Sequence, residues 1–519
     1  MIVGTQIARA VRRYGDEIAA ICGEERRTFA EIDARTNRLA NALLALGLRK
    51  GDRVATLLEN SIRCVEADFA LAKAGLVRVS LNPRSTAKDA SYILADSGAR
   101  IVIYGAGYAS VAAEAARAGT EVARWIRVAE FASDPQAPFE SADYDALLAG
   151  ASPLRPAADL DPEDLYCLFY TSGTTGRPKG VMLSHRAILH VSYNLLLDTG
   201  PQASGEKVLL MQPMSHGAGF FVLPWFMRGG ASVIMRQFDP AEVLRLARVH
   251  EIETIKLIPT MLQRMLRVEG AYPIALPKLR QIIYGASPMP TEALRDAIAK
   301  FGPRFVQIYG QSEAPVTMTV LPLEDHEPTC PNPERLSSAG RPWTTVEMKI
   351  VDDAGQDVPI DGVGEVVLRA PQLMSGYWKR ADLTEETLRG GWLHTKDMGR
   401  MDAHGYVYLL GRKDEMIISG GYNIAPREIE EAIYLHGSVQ EAAVVGEPDP
   451  EWGQAVVAYV VLRDRTSTVE LGEFLKPHLG FKRPKRIYRV RELPKNSNGK
   501  IQKTALSPAI ALAEERVAP

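Results

Sequence analysis

Residues 170–181 read Tyr170-Thr-Ser-Gly-Thr-Thr-Gly-Arg-Pro-Lys-Gly-Val181. The apolar run 165–170 that leads into them predicts a buried strand. Glycines let the backbone turn and bring successive N–H groups onto phosphate oxygens, the hydroxyls add donors, and Lys179 supplies a cation. The stretch therefore predicts a phosphate-binding loop. It is not the Walker loop, because no Gly-Lys-Ser/Thr triplet closes it.

Short apolar segments alternate with helical patterns over the residues before about 345. Thr28 and Glu31 form a capping box, and Asp239-Pro240 combines a helix cap with a proline in the first turn. Alternation of this kind predicts a mostly parallel sheet with helices on both faces. The predicted strands include residues 54–58, 231–235, 254–258, 281–284 and 305–309.

The pattern changes after about residue 345. Residues 346–351 and 364–369 read as antiparallel strands joined by a turn. The polar run 411–414 lies between the apolar segments 406–410 and 416–418. Beyond it we expect a small α+β unit, which contains a helix that begins at Pro426. We therefore expect a large domain over residues 1–412 and a small one over residues 413–519.

Composition excludes several classes of protein. The 519 residues are 46% hydrophobic and 24% charged with a net charge of -2, so nothing favours nucleic acid or an anionic membrane as a partner. No apolar run approaches the roughly 20 residues of a membrane span, and the N-terminus lacks a signal-peptide pattern. The four cysteines are scattered without a CxxC pair, which argues against a zinc site or a disulfide framework. We expect a cytoplasmic protein.

The phosphate loop resembles the signature of the adenylate-forming superfamily, which includes acyl-CoA synthetases, peptide-synthetase adenylation domains and beetle luciferases. Further motifs of that family follow in order along nearly the whole chain. The resemblance implies an α/β fold: a large N-terminal domain of parallel α/β layered sheets with a distorted antiparallel β-barrel, and a small mobile α+β C-terminal domain. It implies ATP, Mg²⁺ and CoA as cofactors or co-substrates. It assigns ATP binding to Thr171, Ser172, Gly173, Thr174, Thr175, Gly176 and Lys179, and a catalytic role to Thr171 as well.

Two further motifs resemble the family's nucleotide site. In Tyr309-Gly-Gln-Ser-Glu313, the resemblance implies that Tyr309 stacks on adenine, Ser312 approaches the α-phosphate and Glu313 is catalytic and binds Mg²⁺. Gly285-Ala-Ser-Pro288 resembles the loop beside adenine, which also lines the acyl pocket. The ATP site so implied also includes Gly285, Ala286, Ser287, Gln307, Gly310 and Gln311.

The stretch Trp392-Leu-His-Thr-Lys-Asp397 resembles the family's Trp-Leu-His-Thr-Gly-Asp. Asp397 should accept hydrogen bonds from the ribose hydroxyls, because a carboxylate is an acceptor with two oxygens. Arg412 matches the second ribose-binding residue. Lys396 stands at the usual glycine position, where a positive φ would add strain.

The small domain carries a closing motif, Pro494-Lys-Asn-Ser-Asn-Gly-Lys500. By resemblance, Lys500 is catalytic and bridges the carboxylate and the α-phosphate of ATP. Asp414 matches the hinge about which the small domain rotates after adenylate has formed. That rotation would present Ser419, Gly420 and Gly421 to the pantetheine arm of CoA. Trp452 is interpreted either as a side chain near the thiol or as a core tryptophan.

The stretch 214–226 resembles the family's acyl-binding segment. His216 is the candidate for a catalytic gate over the carboxylate. The pocket itself is assigned to His216, Gly219, Phe220, Gly285 and Gly310. The segment is apolar, lacks the aspartate that binds a substrate ammonium in amino-acid-activating relatives, and has Arg228 as its nearest cation outside the apolar run. This composition favours an apolar acid.

We therefore expect an ATP- and Mg²⁺-dependent acyl-CoA synthetase that converts a carboxylic acid through acyl-AMP to its CoA thioester. A medium- or long-chain fatty acid is the leading substrate class, and an aromatic or alicyclic carboxylate is the alternative. Transfer to a carrier protein instead of CoA, a luciferase-like oxygenase, and an inactive nucleotide-binding scaffold are the other readings. Formation of a homodimer stays open.

Overall fold

The computed structural model describes residues 1–129, 134, 138–171, 177–270, 275–464, 466–495 and 501–515. Helices and strands alternate in its first half, and strands dominate from residue 341 to residue 424. Its α-helices are α1 Val3–Tyr14, α2 Phe29–Ala45, α3 Ile62–Ala74, α4 Ala87–Ser97, α5 Ala109–Arg117, α6 Tyr144–Ala149, α7 His185–Asp198, α8 Val222–Met227, α9 Pro240–Val249, α10 Pro259–Met265, α11 Thr291–Phe301, α12 Ala381–Thr387, α13 Pro426–Tyr434 and α14 Thr468–Leu479.

The strands fall into four sheets. In chain order they are β1 Ile18–Cys22, β2 Glu25–Thr28, β3 Arg53–Leu57, β4 Val77–Ser80, β5 Ile101–Gly105, β6 Arg124–Val128, β7 Ala142–Asp143, β8 Leu165–Thr171, β9 Lys179–Ser184, β10 Lys207–Leu210, β11 Ala231–Ile234, β12 Thr254–Leu257, β13 Gln281–Gly285, β14 Phe305–Tyr309, β15 Thr319–Leu321, β16 Arg341–Pro342, β17 Glu347–Val351, β18 Gly364–Arg369, β19 Gly376–Tyr377, β20 Leu393–Met401, β21 Val407–Arg412, β22 Ile417–Ser419, β23 Tyr422–Ile424, β24 Val439–Asp449, β25 Gly453–Leu462, β26 Arg486–Arg489 and β27 Ala513–Glu515.

Two large, mainly parallel sheets form the N-terminal part. The first has the order β16-β15-β14-β13-β12-β10-β11-β1-β2 and the second β19-β9-β8-β4-β3-β5-β6-β7. Among the described strands, the antiparallel ones lie at the ends of each order, namely β15, β16 and β2 in the first and β9 and β19 in the second. The strand–helix alternation of the sequence therefore predicted the parallel sheets correctly.

The largest apolar cluster joins these two sheets. It contains side chains of β8 and β9 from one sheet, of β10, β13 and β14 from the other, and of helices α7 and α8. The helices begin where the sequence provides a cap: the Thr28 hydroxyl caps α2 in a full capping box, and Asp239 caps α9 ahead of Pro240. The carboxyl ends of β8, β13 and β14 carry the predicted phosphate, adenine and acyl motifs, which is where open α/β sheets bind ligands.

A third sheet of four antiparallel strands, β17-β18-β20-β21, follows at the place of the predicted barrel. The fourth sheet is built from β22 to β27 with α13 and α14. Helix α13 reaches the N-terminal part, because the Glu431 carboxylate accepts a hydrogen bond from the Thr291 hydroxyl at the start of α11 (3.3 Å). The chain thus has the mixed α/β architecture that the resemblance implied, with a separate C-terminal domain.

A bilayer crossing would require a longer and more apolar helix than any that the described part of the chain contains.

Candidate active site

The predicted phosphate loop lies at a hairpin between β8 and β9. Thr171, the last residue of β8, pairs with Lys179, the first of β9. Just before β9, the Tyr92 hydroxyl of α4 donates to the Pro178 carbonyl at 3.2 Å. Ser172, Gly173, Thr174, Thr175 and Gly176 lie outside the described residues. The residues on both sides of the predicted loop are therefore held by the pairing of β8 with β9.

Lys179 faces a tyrosine that the sequence motifs did not include. Its ammonium lies 5.6 Å from the centre of the Tyr377 ring. The Tyr377 hydroxyl in turn donates to Glu313 Oε1 at 2.6 Å. Burial, reinforced by the Glu313 charge, raises the pKa of Tyr377 well above its ordinary value, so it stays a neutral donor. Tyr377 thus contacts both predicted residues: the phosphate-binding Lys179 lies over its ring, and the Mg²⁺ ligand Glu313 accepts from its hydroxyl.

The donor set around Glu313 fits a magnesium ion shared with a nucleotide. No three His, Cys, Asp or Glu side chains of the described residues form a group that could hold a metal alone. Mg²⁺ is commonly held by one or two carboxylates, with phosphate oxygens and water completing its octahedron. Tyr377 engages one oxygen of the Glu313 carboxylate. Glu313, a single oriented carboxylate beside the predicted phosphate loop, therefore suits an Mg²⁺ ion whose other ligands are phosphate oxygens and water.

Asp397 is the centre of a second cluster. Its Oδ2 accepts hydrogen bonds from the Tyr309 hydroxyl and from Gln311 Nε2, the latter at 2.6 Å. Its Oδ1 accepts from Arg412 Nη1 at 3.1 Å. Asp397 and Arg412 are also directly opposite each other on β20 and β21. The adenine candidate Tyr309 and the ribose candidates Asp397 and Arg412 therefore form one hydrogen-bonded unit.

The electrostatics of this unit favour the charged pair. Burial alone would lower the pKa of Arg412, but the Asp397 and Asp414 carboxylates outweigh burial and raise it. Burial, with the Asp397 charge, raises the pKa of Tyr309 well above its usual value. Arg412 also donates to the Thr395 carbonyl at 3.0 Å. The Asp397 carboxylate is thereby held between a fixed cation and a neutral phenol.

Lys396 adopts the conformation that glycine prefers. Its φ is 60°, in the left-handed region that costs a side-chain-bearing residue about 1–2 kcal/mol. The Glu365 carboxylate accepts its backbone N–H at 2.9 Å, and the exposed Glu386 carboxylate accepts its ammonium at 2.8 Å. The departure from the family's glycine therefore does carry backbone strain, and Glu365 holds the strained peptide beside Asp397.

Two glycines of the predicted adenine motifs lie where no side chain fits. A Cβ on Gly285 would come within 2.2 Å of the Ile308 carbonyl, and one on Gly310 within 2.4 Å of the Val316 nitrogen. Ala286, next to Gly285, has a φ of 71°. The end of β13 is thus packed tightly on β14, and the turn after β14 is packed tightly on itself. Gln307 lies on β14, Ser287 in the turn after β13 and Ser312 in the turn after β14.

The predicted gate lies against the strand that leads into the phosphate loop. The His216 ring packs edge-on against Phe169 of β8 at 5.2 Å, and its Nδ1 is 2.8 Å from the Ser215 hydroxyl. Phe220 packs on the same Phe169 at 5.8 Å. A Cβ on Gly219 would lie 2.3 Å from the Met214 carbonyl. His216, Gly219 and Phe220 are thereby brought close to the end of β8 that carries Thr171.

In the C-terminal sheet, Ser419 and Tyr422 pair across a two-residue turn formed by Gly420 and Gly421. Both glycines have positive φ, 57° and 83°, as a type I′ hairpin requires. A Cβ on Gly420 would touch the Trp452 ring at 2.8 Å, whereas a Cβ on Gly421 would meet nothing within 4 Å. Trp452 is 39% exposed, so the interpretation as a core tryptophan is wrong.

The hinge candidate Asp414 lies in the link between β21 and β22, with its carboxylate 3.8 Å from Arg412 Nε. Lys500 lies outside the described residues. On either side of the undescribed residues 496–500, Lys495 and Ile501 form an antiparallel bridge. Lys503, three residues on, pairs with Glu430 at 2.9 Å and with Glu415 at 3.5 Å, next to the hinge.

Sequence reasoning missed Tyr377, Glu365 and a buried lysine, Lys256. Tyr377 and Glu365 act through contacts with residues more than 30 positions away, which no local motif signals. Lys256 did have a signal, since it is a lone charge inside the apolar strand β12.

Comparison with known proteins agrees with this geometry. The model of the AMP-binding enzyme family matches residues 7–378, and that of the AMP-binding enzyme C-terminal domain matches residues 428–500. The chain is 34% identical over 517 residues to the medium/long-chain-fatty-acid–CoA ligase FadD8 of Mycobacterium tuberculosis, across 97% of this chain and 89% of that protein. It is 35% identical over 506 residues to a feruloyl-CoA synthase of an Amycolatopsis species, across 96% and 97%.

The fold is also that of a solved structure, ATP-bound MatB from Rhodopseudomonas palustris. The TM-score is 0.86 at 29% identity, covering 97% of this chain and 98% of that one. Enzymes of this family use ATP, Mg²⁺ and CoA. The chain belongs to the AMP-binding enzyme family of the adenylate-forming superfamily, as an AMP-forming acid–thiol ligase.

Proposed function

We propose that this chain converts an apolar carboxylic acid into its CoA thioester in two steps. In the first, a carboxylate oxygen attacks the α-phosphorus of ATP, the bond to the β-phosphate breaks, and pyrophosphate leaves with its electron pair. In the second, the CoA thiol gives its proton to water and its sulfur attacks the acyl carbonyl, the bond from the acyl carbon to the phosphate oxygen breaks, and AMP leaves with the electron pair. The observation that carries this proposal is the convergence of Tyr309, Gln311 and Arg412 on Asp397. Tyr309 is four residues before Glu313, which the Tyr377 hydroxyl contacts.

The nucleotide would be held by groups of opposite character at its two ends. Asp397 would accept hydrogen bonds from the ribose hydroxyls beside Arg412, and the Tyr309 ring would stack on adenine. The hydroxyl-rich stretch that begins at Thr171, together with Lys179, receives the β- and γ-phosphates. Glu313 would hold Mg²⁺, which would neutralise part of the charge on the phosphates. Binding the nucleoside at one end and the β- and γ-phosphates at the other supports in-line attack, because it fixes the α-phosphate between these two sites.

The acid would enter beside His216. Phe169 links this ring and Phe220 to the end of β8, so the carboxylate group meets the phosphate loop where both predicted sites adjoin. Gly285 and Gly310 would line the same pocket from the ends of β13 and β14. A Cβ at either position would meet protein backbone, so both turns keep a fixed shape beside the proposed pocket.

Two states of the small domain, residues 413–519, would serve the two steps. Lys500 bridges the carboxylate and the α-phosphate during adenylation, as a compact point charge on a flexible stem. Rotation about Asp414 then withdraws it and brings Ser419, Gly420 and Gly421 to the site. The open space at Gly421 and the exposed Trp452 support a path for the pantetheine arm. Rotations of this type commonly gate sequential half-reactions.

The substrate would be a medium- or long-chain fatty acid or an aromatic acid. The apolar residues around Phe220 and the similarity to a fatty-acid–CoA ligase support the first class. The aromatic cluster Phe169–Phe220 and the similarity to a feruloyl-CoA synthase support the second. An acyl-carrier protein is the alternative acceptor to CoA.

The two half-reactions test this proposal separately. Lys500→Ala should abolish acid-dependent pyrophosphate exchange while largely retaining thioester formation from supplied acyl-AMP. Gly421→Leu should do the converse, because its side chain would fill the space left for the thiol arm. Equal loss of both half-reactions in Lys500→Ala would overturn the two-state scheme. Adenylation that proceeds without any transfer to CoA would identify a carrier protein as the acceptor.

A further inference from the structure

A buried asparagine holds the start of the acyl-binding segment. Asn60 lies in the loop between β3 and α3 and is 5% exposed. Its Oδ1 accepts a hydrogen bond from the Met214 backbone N–H at 2.9 Å, and its Nδ2 donates to the Gln212 carbonyl at 2.8 Å. The same Nδ2 donates to the Met235 carbonyl, directly after β11, at 3.1 Å. Both donors of the amide and its oxygen are therefore used on backbone groups of buried residues.

Two of these hydrogen bonds enclose Pro213. The Gln212 carbonyl belongs to the peptide group that precedes Pro213, and the Met214 N–H to the peptide group that follows it. The proline ring fixes the φ angle between them. The Pro213 carbonyl in turn accepts the backbone N–H of His216 at 3.0 Å. The backbone position of His216 therefore depends on Asn60 through a turn that has little freedom of its own.

Packing alone does not hold this turn, because a small cavity borders it. The cavity has a volume of about 20 Å³, and its lining includes Met214 and Ser215 together with Cys64 of α3 and Arg78 of β4. A space of this size holds about one water molecule. Protein interiors contain few such gaps, and a segment beside one has room to shift. The hydrogen bonds of Asn60 are therefore needed to keep the turn in its place.

The position of Asn60 in the fold also favours a role at the site. Strand β3 belongs to one large sheet, whereas β10 and β11 belong to the other. Asn60 binds the backbone just beyond the carboxyl ends of β10 and β11. Open α/β sheets bind their ligands at the carboxyl ends of the strands. One side chain thereby ties the two sheets together at the edge where ligands are expected.

His216 connects this turn to the reacting groups. Its ring packs on Phe169 of β8 at 5.2 Å, and its Nδ1 lies 2.8 Å from the Ser215 hydroxyl. Phe169 is two residues, or about 7 Å of strand, before Thr171, where the predicted phosphate loop begins. A misplacement of about 1 Å can reduce the rate of a reaction about 100-fold. A shift of the turn at Pro213 would thus reach the reaction through His216.

A second buried asparagine shows what a purely structural role looks like. Asn37 on α2 is 3% exposed. Its side chain donates to Asp33 Oδ2 at 3.0 Å and to the Pro153 carbonyl at 2.9 Å, and accepts from the Lys73 ammonium at 2.9 Å. It also makes three hydrogen bonds, but its partners belong to none of the predicted motifs. Asn37 therefore provides a matched control for Asn60.

We propose that Asn60 is a positioning residue for adenylation: its amide fixes the turn at Pro213 and so holds His216 in the place from which it gates the carboxylate. This inference rests on the proposed function and adds to it a residue that lies outside every motif of the site. Asn60 acts through His216 rather than on the acid itself.

A double-mutant cycle with His216→Ala tests the proposal. Acid-dependent pyrophosphate release is measured with octanoate and with cinnamate, well below the melting temperature of each variant. Asn60→Ala should lower kcat/KM for the acid by about 10- to 100-fold in the wild-type chain and change the KM for ATP by no more than about 2-fold. In the His216→Ala chain the same substitution should lower kcat/KM by no more than about 2-fold, because the group through which Asn60 acts is gone. An equal loss in both chains would overturn the inference.

Two further variants separate positioning from stability. Asn60→Asp keeps the acceptor for Met214 and, when protonated, one donor, so it should recover part of the lost rate, more at about pH 6 than at about pH 8. If Asn60→Ala does not fold, Asn60→Asp takes its place in the cycle. Asn37→Ala removes as many buried hydrogen bonds, so it should lower the melting temperature comparably and keep kcat/KM for the acid within about 2-fold of wild type.

These variants also define the contrary results. No recovery in Asn60→Asp, or a loss of rate in Asn37→Ala as large as in Asn60→Ala, would contradict the inference. Absence of pyrophosphate release by the wild type with every acid would instead defeat the proposed function itself.

Discussion

The Tyr377 hydroxyl donates to the Glu313 carboxylate at 2.6 Å, with the Lys179 ammonium over the same ring. Tyr377 belongs to β19, a two-residue strand that pairs with β9. The strand that begins with Lys179 therefore also positions the tyrosine that orients Glu313. This contact links the phosphate loop to the loop after β14, although 134 residues separate Lys179 from Glu313 in the sequence.

Tyr377→Phe should weaken ATP use without unfolding the protein. Loss of the donor leaves Glu313 without its orienting hydrogen bond, which for a charged acceptor is worth about 1.5–3 kcal/mol. We expect kcat/KM for ATP to fall by roughly 10-fold or more, with a higher Mg²⁺ concentration at half-maximal rate. Pyrophosphate release at varied Mg²⁺ measures both. Tyr193→Phe, whose hydroxyl binds Gln6 instead, is the matched control; equal behaviour of the two variants would argue against the Glu313 contact.

Asp397→Asn should raise the KM for ATP by roughly 10- to 100-fold, because it removes the charged acceptor that Arg412 and Gln311 share. Initial rates at varied ATP give the KM, and thermal shifts with AMP give binding independently of turnover. Asp353→Asn breaks a comparable ion pair, with Lys413, but at an exposed site. It should leave both quantities unchanged. An unaltered KM in Asp397→Asn would contradict the ribose assignment.

The strained backbone at Lys396 gives a prediction on stability. With φ at 60°, glycine should be tolerated and valine should not. Lys396→Val should lower the free energy of unfolding by about 1–2 kcal/mol, whereas Lys396→Gly should hold it or raise it slightly, since the exposed Glu386 pair contributes about 0–1 kcal/mol. Urea denaturation measures the difference. Glu386→Gln isolates the ion pair, and a valine variant as stable as the glycine variant would show that the left-handed conformation is absent.

Gly219 and Gly217 form a matched pair in the acyl segment. A Cβ on Gly219 would meet the Met214 carbonyl at 2.3 Å, while one on Gly217 would meet nothing within 4 Å. Gly219→Ala should therefore displace Phe220 and raise the KM for the acid, with a loss of stability of about 1–3 kcal/mol from overpacking. Gly217→Ala should change neither. A wild-type KM for the acid in Gly219→Ala would contradict the prediction that Gly219 shapes the acyl segment.

The depressed pKa of Lys256 predicts a pH-dependent effect of removing it. Between pH 7 and about 10.5 the unfolded lysine is protonated and the folded one is not, so the unfolded state binds more protons. Wild-type stability must therefore rise with pH in this window relative to Lys256→Met. The methionine variant should be more stable by a few kcal/mol near pH 7, with the gap closing towards pH 10. Burial also lowers the pKa of Lys73, to about 8. Because both proteins contain Lys73, its contribution to the pH dependence cancels from the difference in stability. A pH-independent gap would mean that the folded lysine keeps its ordinary pKa and stays protonated over this range.

Much of the fold was predictable because it depends on local signals. The capping boxes, the proline at the start of α9 and the apolar strands are short-range patterns, and β14 was predicted at its observed bounds. Other strand ends shifted by one or two residues: the strand predicted at 346–351 begins at Glu347, and that at 254–258 ends at Leu257. Hydrogen-bonding partners across the sheet set these ends, and a single sequence does not contain them.

The candidate site was predictable only in part for the same reason. The motifs identified Asp397, Arg412 and Tyr309 separately. The hydrogen bonds that join them depend on the pairing of β20 with β21 and on the position of the end of β14. Tyr377 and Lys256 became visible only through contacts made by distant strands. A motif thus identifies residue types suited to a reaction, while the tertiary structure decides which neighbours set their charge and orientation.

The most direct test is the stoichiometry of the products formed from ATP, CoA and a panel of fatty, aromatic and dicarboxylic acids. Adenylation followed by thiol transfer requires one AMP, one pyrophosphate and one thioester for each ATP consumed, with turnover dependent on both acid and CoA. Formation of ADP and inorganic phosphate, or AMP release that no acid accelerates, would contradict the proposed reaction.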